Sequence, residues 1–258
     1  MTEIEYRLVN PTGNITALVE TQVLLEKQPK VASLLMQKEP TCEQVGFVSD
    51  GDDTCDIRLR MAGGEFCGNA TMSAAALFCK KIDLKDGEER KVLVKILGTS
   101  KPVPVIVTRE KGLYFGTVEM PPALSVKYEM FSFENRRYRY PVVSFAGISH
   151  VIIEDNMSVY MAERAIKLWC DQLKAAGLGF MLLDSTKTQL RPLVYIPNAD
   201  TLVWESSCAS GTSAVGAFFC KARGAAVQMS LKEPGGTLTI SADESGKLLL
   251  SGMVEFYS

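Results

Sequence analysis

The sequence has little histidine, little net charge and no obvious metal-binding motif. Only one of its 258 residues is a histidine, His150, and the net charge is −2. No pair of cysteines has C-x-x-C spacing and no cysteines and histidines are clustered, so we expect no metal. Neither sign of charge forms a long block. The chain therefore lacks the basic footprint of nucleic-acid-binding proteins, and we expect no nucleic-acid partner.

Long apolar runs and a basic leader are also missing. No apolar run approaches the roughly 20 residues that cross a bilayer. The opening segment, Met1–Arg7, has acidic residues where a signal peptide has a basic stretch followed by an apolar one. The seven cysteines are an odd number, which argues against a disulfide framework and for reduced thiols. We therefore expect a cytoplasmic protein with no membrane partner.

The most informative feature that is present is a repeated cysteine segment. The segment CGNATMSAAALFCK at Cys67–Lys80 returns as CASGTSAVGAFFCK at Cys208–Lys221, with an offset of 141 residues and six identical positions. With 47% hydrophobic residues, the chain can bury a core in each half. A repeat at this spacing indicates two copies of one structural unit, which we place at residues 1–125 and 126–258.

Each copy places a cysteine directly before a helix. Small residues follow Cys67 and Cys208, and Ala, Leu and Phe then continue without proline, which predicts that helices begin there. The backbone N–H groups and the dipole at a helix N-terminus lower a thiol pKa from about 8.5 toward neutrality. Cys79 and Cys220, later in each copy, lie among apolar residues and are interpreted as core residues. Two thiols facing one carbon could remove and donate its proton, as in a racemase.

Four motifs in the sequence resemble a known family: Phe66–Ala70, Ser207–Thr212, Thr12–Asn14 and Gly147–His150. In order and spacing they resemble the diaminopimelate epimerase family of cofactor-independent amino-acid racemases over nearly the whole chain. The resemblance implies an α+β fold of two pseudo-symmetric β-barrel-like lobes, each wrapped around a central helix. It also implies that no cofactor is needed, and that one of Cys67 and Cys208 is the thiolate base and the other the thiol acid.

The sequence departs from diaminopimelate-specific members of that family near both cysteines. Arg60–Phe66 replaces their Asn-Ala-Asp-Gly stretch, Ile148 stands where they have Asn, and Val203–Ser207 contains no Arg. Without these groups the second charged head of diaminopimelate would be buried unpaired, which costs several kcal/mol. The Met61–Ala70 block resembles instead the histidine racemase subgroup, which implies histidine as the substrate.

Ten residues are candidates for binding a free amino acid. Asn14 matches the family's Gly-Asn position, although Asn also commonly stabilises a turn after Gly. His150 lies in the Gly-x-x-His motif and is expected in the cleft, not necessarily as an acid or base. The helix-start residues and the possible acceptors for imidazole N–H groups complete the set: Gly68, Asn69, Ala209, Ser210, Glu43, Gln44, Glu65 and Glu205.

Other functions stay open at the level of sequence. Proline- and hydroxyproline-type epimerases also use paired thiols, but this chain lacks their Cys-Gly-His and Ser-Pro-Cys-Gly-Thr patterns. Diaminopimelate epimerisation and a phenazine-biosynthesis-like isomerisation are related alternatives. From another class, the chain could be a thiol redox protein or an amino-acid-binding module without catalysis. We also consider a homodimer.

Overall fold

The chain folds into two compact units in a computed structural model that describes residues 4–96 and 99–257. Unit 1 comprises the residues up to Glu119 together with those from Ser251 onward, and unit 2 comprises Met120–Leu250. The division that we predicted between residues 125 and 126 falls inside a strand, Ser125–Phe133. The prediction also placed the last strand in the second half, whereas its final residues pair with the first strand and belong to unit 1.

Unit 1 is a closed β-barrel around a helix. Its strands are β1 Tyr6–Pro11, β2 Thr16–Val19, β3 Gln44–Asp52, β4 Cys55–Met61, β5 Glu89–Ile96, β6 Val103–Glu110, β7 Leu113–Met120 and the end of β16 (Leu248–Phe256); its helices are α1 Gln28–Lys38 and α2 Gly68–Lys81. Neighbouring strands are hydrogen-bonded in the order β1-β2-β3-β4-β5-β6-β7-β16, and β16 pairs back with β1. This pairing closes the ring.

Helix α2 is the central helix of unit 1. It is buried along nearly its whole length and contacts β1, β4, β5 and β6. A helix that is apolar on all sides is stable only when it is enclosed, and the Ala-rich segment fits that position. Its buried hydroxyls are satisfied locally, since Thr71 donates to the Cys67 carbonyl at 2.6 Å and Ser73 to the Asn69 carbonyl at 3.0 Å.

Unit 2 has a similar order of elements, with two further strands, β8 and β13. Its strands are β8 Ser125–Phe133, β9 Arg136–Ser144, β10 Ser149–Ile153, β11 Leu178–Leu183, β12 Leu190–Ile196, β13 Thr201–Trp204, β14 Val227–Glu233, β15 Gly236–Ala242 and the start of β16; its helices are α3 Val159–Leu173 and α4 Ala209–Arg223. A helix joins two parallel strands in each unit, α1 between β2 and β3 and α3 between β10 and β11. A buried, cysteine-capped helix then follows in each. The predicted α+β fold of two barrel-like lobes around central helices is confirmed.

The core of unit 2 is aromatic. Trp169 of α3 is fully buried and stacks on Phe131, with ring centroids 4.4 Å apart, and its centroid lies 5.0 Å from that of Phe180. Its indole N–H donates to the Ser132 carbonyl at 3.2 Å, so its polar atom is also satisfied. Trp169 therefore ties α3 to strands β8 and β11. No helix in the described part of the chain is long and apolar enough to cross a membrane.

Candidate active site

The first predicted cysteine lies at the N-terminus of helix α2. Cys67 caps this helix in an extended conformation, and its sulfur accepts a hydrogen bond from the Ala70 N–H at 3.4 Å. Gly68 and Asn69 are the first helical residues, which confirms the predicted helix start. Because the sulfur receives an amide N–H at the positive end of a helix, negative charge on it is stabilised.

Three predicted binding residues of unit 1 gather where β3 begins. The Cys67 thiol donates to Oε1 of Gln44 at 3.0 Å, and Nδ2 of Asn14 donates to Oε2 of Glu43 at 2.7 Å. The backbone N–H groups of Glu43 and Gln44 both donate to the Ile15 carbonyl, which fixes this corner of the parallel β2–β3 pair. Asn14 is 2% exposed, and its Oδ1 atom has no hydrogen-bond partner in the described residues. A buried, unused acceptor therefore lies beside this corner.

Glu65 occupies the loop before α2. Its side chain is exposed and folds back over Gly63, where an added β-carbon would come within 2.2 Å of the carboxylate. Proximity to Cys67 along the chain made Glu65 a candidate, and the structure places its carboxylate against its own loop. A role for Glu65 in binding stays a prediction.

The second cysteine occupies the equivalent position in unit 2. Cys208 caps helix α4 in an extended conformation, and its sulfur accepts a hydrogen bond from the Gly211 N–H at 3.4 Å. Gly211 has no side chain, so the sulfur atoms of Met181 and Cys208 can lie close to its backbone. A β-carbon there would lie 2.1 Å from Sδ of Met181 and 3.2 Å from Sγ of Cys208. Ala209 and Ser210 open the helix, so this predicted helix start is also confirmed.

The surroundings of Cys208 favour its protonated form. Burial raises the pKa of this thiol well above its ordinary value. Glu205 raises the pKa further by its charge and by accepting a hydrogen bond from the thiol, and the charge of Glu233 acts in the same direction. The Ser210 hydroxyl, 3.6 Å from the sulfur, lowers the pKa. The site thus holds both an acceptor for the thiol proton and a hydroxyl beside the sulfur.

His150 reaches this site through Ser210. Its Nε2 atom lies 2.9 Å from Oγ of Ser210, and burial lowers the pKa of the imidazole to about 3, so the ring is neutral. Nδ1 has no hydrogen-bond partner among the described residues, and a β-carbon on Gly179 would lie 2.3 Å from it. Because an unpaired acceptor is tolerated better than a buried unpaired N–H, the proton belongs on Nε2. Ser210 then accepts from His150 and can direct its own proton to Cys208.

The buried histidine makes stability depend on pH. His150 has a folded pKa of about 3 and an unfolded pKa near 6.5, so between these values the unfolded chain binds the extra proton and stability falls as the pH is lowered. From pH 7 to pH 5 the contribution of His150 to the free energy of unfolding decreases by about 2 kcal/mol. Urea unfolding of the wild-type protein and of His150→Gln at both pH values measures it. We expect a smaller pH effect in the variant, and equal effects in the two proteins would contradict the neutral, buried state.

Two polar residues at this site, Glu233 and Thr212, are absent from the sequence-based candidates. Glu233, at the end of β14, is 2% exposed and accepts hydrogen bonds from the Cys208 N–H at 2.8 Å and from the Thr212 hydroxyl. Burial raises the pKa of Glu233 to about 8; the hydrogen bonds oppose this rise, and the charge of Glu205 adds to it.

The later cysteines of the two repeats are structural. Cys79 is fully buried in α2 and Cys220 is 6% exposed in α4, which confirms the prediction that both are core residues. Burial raises the pKa of Cys79 to about 12 and raises that of Cys220 as well. Neither thiol lies at a helix N-terminus, where amide N–H groups and the helix dipole would stabilise a thiolate.

The fold with its two central helices is shared by a class of solved proteins that includes epimerases and phenazine biosynthesis proteins. A solved hydroxyproline epimerase from Agrobacterium vitis has a TM-score of 0.70 at 13% identity, with 99% of this chain and 91% of that chain covered. A phenazine biosynthesis protein of the PhzF family from Bacillus anthracis has a TM-score of 0.69 at 13% identity, with 100% and 98% covered. At such identities the likeness shows the shared fold.

Sequence comparison identifies the family. Residues 3–255 match the family described as the histidine racemase CntK N-terminal domain. A histidine racemase of Staphylococcus aureus is 30% identical, with 95% of this chain and 90% of the relative covered, and one of Fusobacterium nucleatum is 29% identical, with 98% and 93% covered. The chain therefore belongs to the histidine racemase family, and the protein is an isomerase that acts on an amino acid.

Proposed function

We propose that the protein interconverts L- and D-histidine without a cofactor, with Cys67 and Cys208 as the two acid–base groups. The observation that carries the proposal is that each unit presents one thiol at the start of a buried helix, and that each thiol has its own hydrogen-bond acceptor. Gln44 accepts from Cys67, and Glu205 accepts from Cys208. The relatives of both named organisms are histidine racemases, which supports histidine as the substrate.

The proposed reaction moves one proton off the α-carbon and another onto it. A thiolate removes the α-proton from one face, and the opposing thiol delivers its proton to the other face, so the two sulfurs exchange protonation states in each turnover. Because its surroundings keep Cys208 protonated, Cys208 starts as the acid. Cys67 starts as the base after the thiol proton that it shares with Gln44 has been lost to solvent. Catalysis in the opposite direction reverses these roles.

The substrate carboxylate needs stabilisation as charge develops on it. We assign this role to backbone N–H groups of the two helix starts, Gly68 and Asn69 in α2 and Ala209 and Ser210 in α4. A well-placed donor of this kind contributes about 3–4 kcal/mol to transition-state stabilisation in other enzymes. The amides of Ala70 and Gly211 already point at the cysteine sulfurs, which separates the donors to sulfur from those assigned to the substrate.

Recognition of the amino and imidazole groups requires acceptors. Asn14 supplies one, because its buried Oδ1 atom is unused and its amide is held by Glu43. The carboxylates of Glu43 and Glu205 suit positively charged or N–H-bearing groups of histidine. We therefore place Asn14, Glu43 and Glu205 among the groups that bind the substrate.

Exchange of the α-proton tests the function. The reduced protein is incubated in D2O with each common amino acid, and loss of the α-proton is followed by NMR while chiral chromatography follows the enantiomers. We expect histidine to exchange and racemise without added cofactor, and proline and hydroxyproline to remain protonated. Exchange of a different amino acid would correct the substrate. Binding of an amino acid without exchange, or no reaction at all, would contradict the proposed racemase activity. Activity that required cycling of a Cys67–Cys208 disulfide would indicate a redox protein.

A second copy of the chain is the other partner that we propose. The homodimer and the cytoplasmic location both stay predictions from the sequence. Molar mass from light scattering checks the first, and fractionation of cells that express the protein checks the second.

A further inference from the structure

We infer that Glu233 is a positioning residue that fixes Cys208 at the start of α4 and keeps a buried carboxylate next to this cysteine. The inference deepens the proposed function and rests on it for its effect on racemisation. Glu233 acts through Cys208, because its carboxylate contacts the backbone N–H of the cysteine.

The geometry supports a positioning role. One carboxylate oxygen of Glu233 accepts from the Cys208 N–H at 2.8 Å, and the other accepts from the hydroxyl of Thr212, one helical turn later. These two anchors span the first turn of α4 and hold the extended backbone of the cap. That conformation aims Sγ of Cys208 at the Gly211 N–H.

The repeat provides an internal comparison. Thr71 in α2 is the counterpart of Thr212 in α4. The Thr71 hydroxyl donates to the carbonyl of Cys67 in its own helix, whereas the Thr212 hydroxyl donates to Glu233 on strand β14. In unit 2 the repeated threonine therefore binds a buried carboxylate instead of its own helix, and the two cysteine caps differ in this contact.

The charge of Glu233 reaches the thiol as well as the backbone. The titratable groups that face Cys208 are Glu205 after β13, Glu233 on β14 and, through Ser210, the neutral His150 on β10. Glu205 and Glu233 both raise the pKa of Cys208 by their charge, and Glu233 itself has a pKa of about 8. Ionisation of Glu233 near this pH makes the thiol harder to deprotonate, so the two groups titrate as a coupled pair.

Labelling of single cysteines tests the inference. Isotope-coded iodoacetamide is applied across a pH series without substrate, and the labelled peptides of Cys67 and Cys208 are quantified by mass spectrometry. In Glu233→Gln we expect the Cys208 midpoint to move to lower pH by about one unit, which is a tenfold gain in labelling at a fixed pH below it. The Cys67 midpoint should not change. Glu244→Gln, which removes an exposed carboxylate of the same unit, is the charge-matched control and should match the wild-type protein.

A milder variant covers the case in which Glu233→Gln does not fold. Thr212→Val removes one anchor and one hydrogen bond that lowers the pKa of Glu233. The carboxylate is then held less firmly beside Cys208, so the Cys208 midpoint should move down by less than in Glu233→Gln. Histidine racemisation in both variants should lose kcat, tenfold or more in Glu233→Gln, with an unchanged KM, because neither residue is assigned to the substrate.

The outcomes separate this inference from the proposed function. Faster labelling of both cysteines at every pH, or an unmoved Cys208 midpoint, would show that Glu233 only stabilises the fold and would overturn the inference. A shifted midpoint with wild-type kcat would likewise overturn the positioning role. If the Cys208 midpoint shifts but the protein exchanges the α-proton of no amino acid, the effect of Glu233 on the Cys208 thiol stands and the proposed racemase function is refuted.

Discussion

We expect serine in place of either Cys67 or Cys208 to abolish the proposed racemisation of histidine. A serine hydroxyl is far less acidic than a thiol, so it can neither hold the negative charge of the base nor deliver a proton at neutral pH. General acid–base groups contribute roughly 10²- to 10⁴-fold to enzymatic rates, and we expect losses at or beyond the upper end because both groups act in the same step. Chiral chromatography of histidine from timed reactions measures the loss.

The repeats offer matched controls for this experiment. Cys79→Ala and Cys220→Ala remove a thiol from the same two helices, deep in their buried parts. Because Cys79 and Cys220 lie toward the C-terminal ends of these helices, away from the capping cysteines, we assign them no acid–base role, and these variants should retain activity wherever they remain folded. Full activity in Cys67→Ser or in Cys208→Ser would refute the mechanism with two thiols.

Alanine in place of Trp169 destabilises unit 2 by about 3–5 kcal/mol. The indole is fully buried against Phe131 and Phe180, and the truncation leaves a cavity among aromatic rings that are held by the sheet. It also removes the donor to the Ser132 carbonyl. Since a folded protein has a free energy of unfolding of only about 5–15 kcal/mol, this loss is a large share. Urea unfolding followed by far-UV circular dichroism measures it.

The neighbouring residue provides the control. Leu168 belongs to the same helix but is 55% exposed, so Leu168→Ala should change the free energy of unfolding by no more than about 0.5 kcal/mol. A loss below 1 kcal/mol in Trp169→Ala, or equal losses in the two variants, would mean that the indole is not the centre of this core.

The helix starts at the two cysteines could be predicted because their signals are local. Small residues after Cys67 and Cys208 permit a first helical turn, and the apolar segment that follows fits a buried helix. The repeat then indicated two similar units. The boundary was less accessible, because polar and aromatic residues interrupt the apolar pattern from Pro121 to Tyr138, although strands β8 and β9 lie there. The pairing of β16 with β1 joins opposite ends of the chain, and local pattern carries no signal for it.

Glu233 is a residue of the candidate site that the sequence motifs did not reveal. It lies on β14, while the residues singled out earlier lie at the helix starts, on the strand ends or in the loops beside them. One signal was present: Val227, Leu231 and Glu233 occupy alternate inward positions, so a carboxylate falls on the buried face of a strand. Such a residue needs a partner, but only the fold shows that the partner is the N–H of Cys208.

The strand that closes the barrel of unit 1 is synthesised after all the other strands that the structure describes. Until β16 has left the ribosome, β1 and β7 remain open edges, even though the rest of unit 1 was translated first. The lobe that is begun first is therefore completed last, after the whole of the other lobe has emerged. A nascent chain of this protein has to keep its first lobe unfinished, and guarded from pairing with other chains, until β16 has been synthesised.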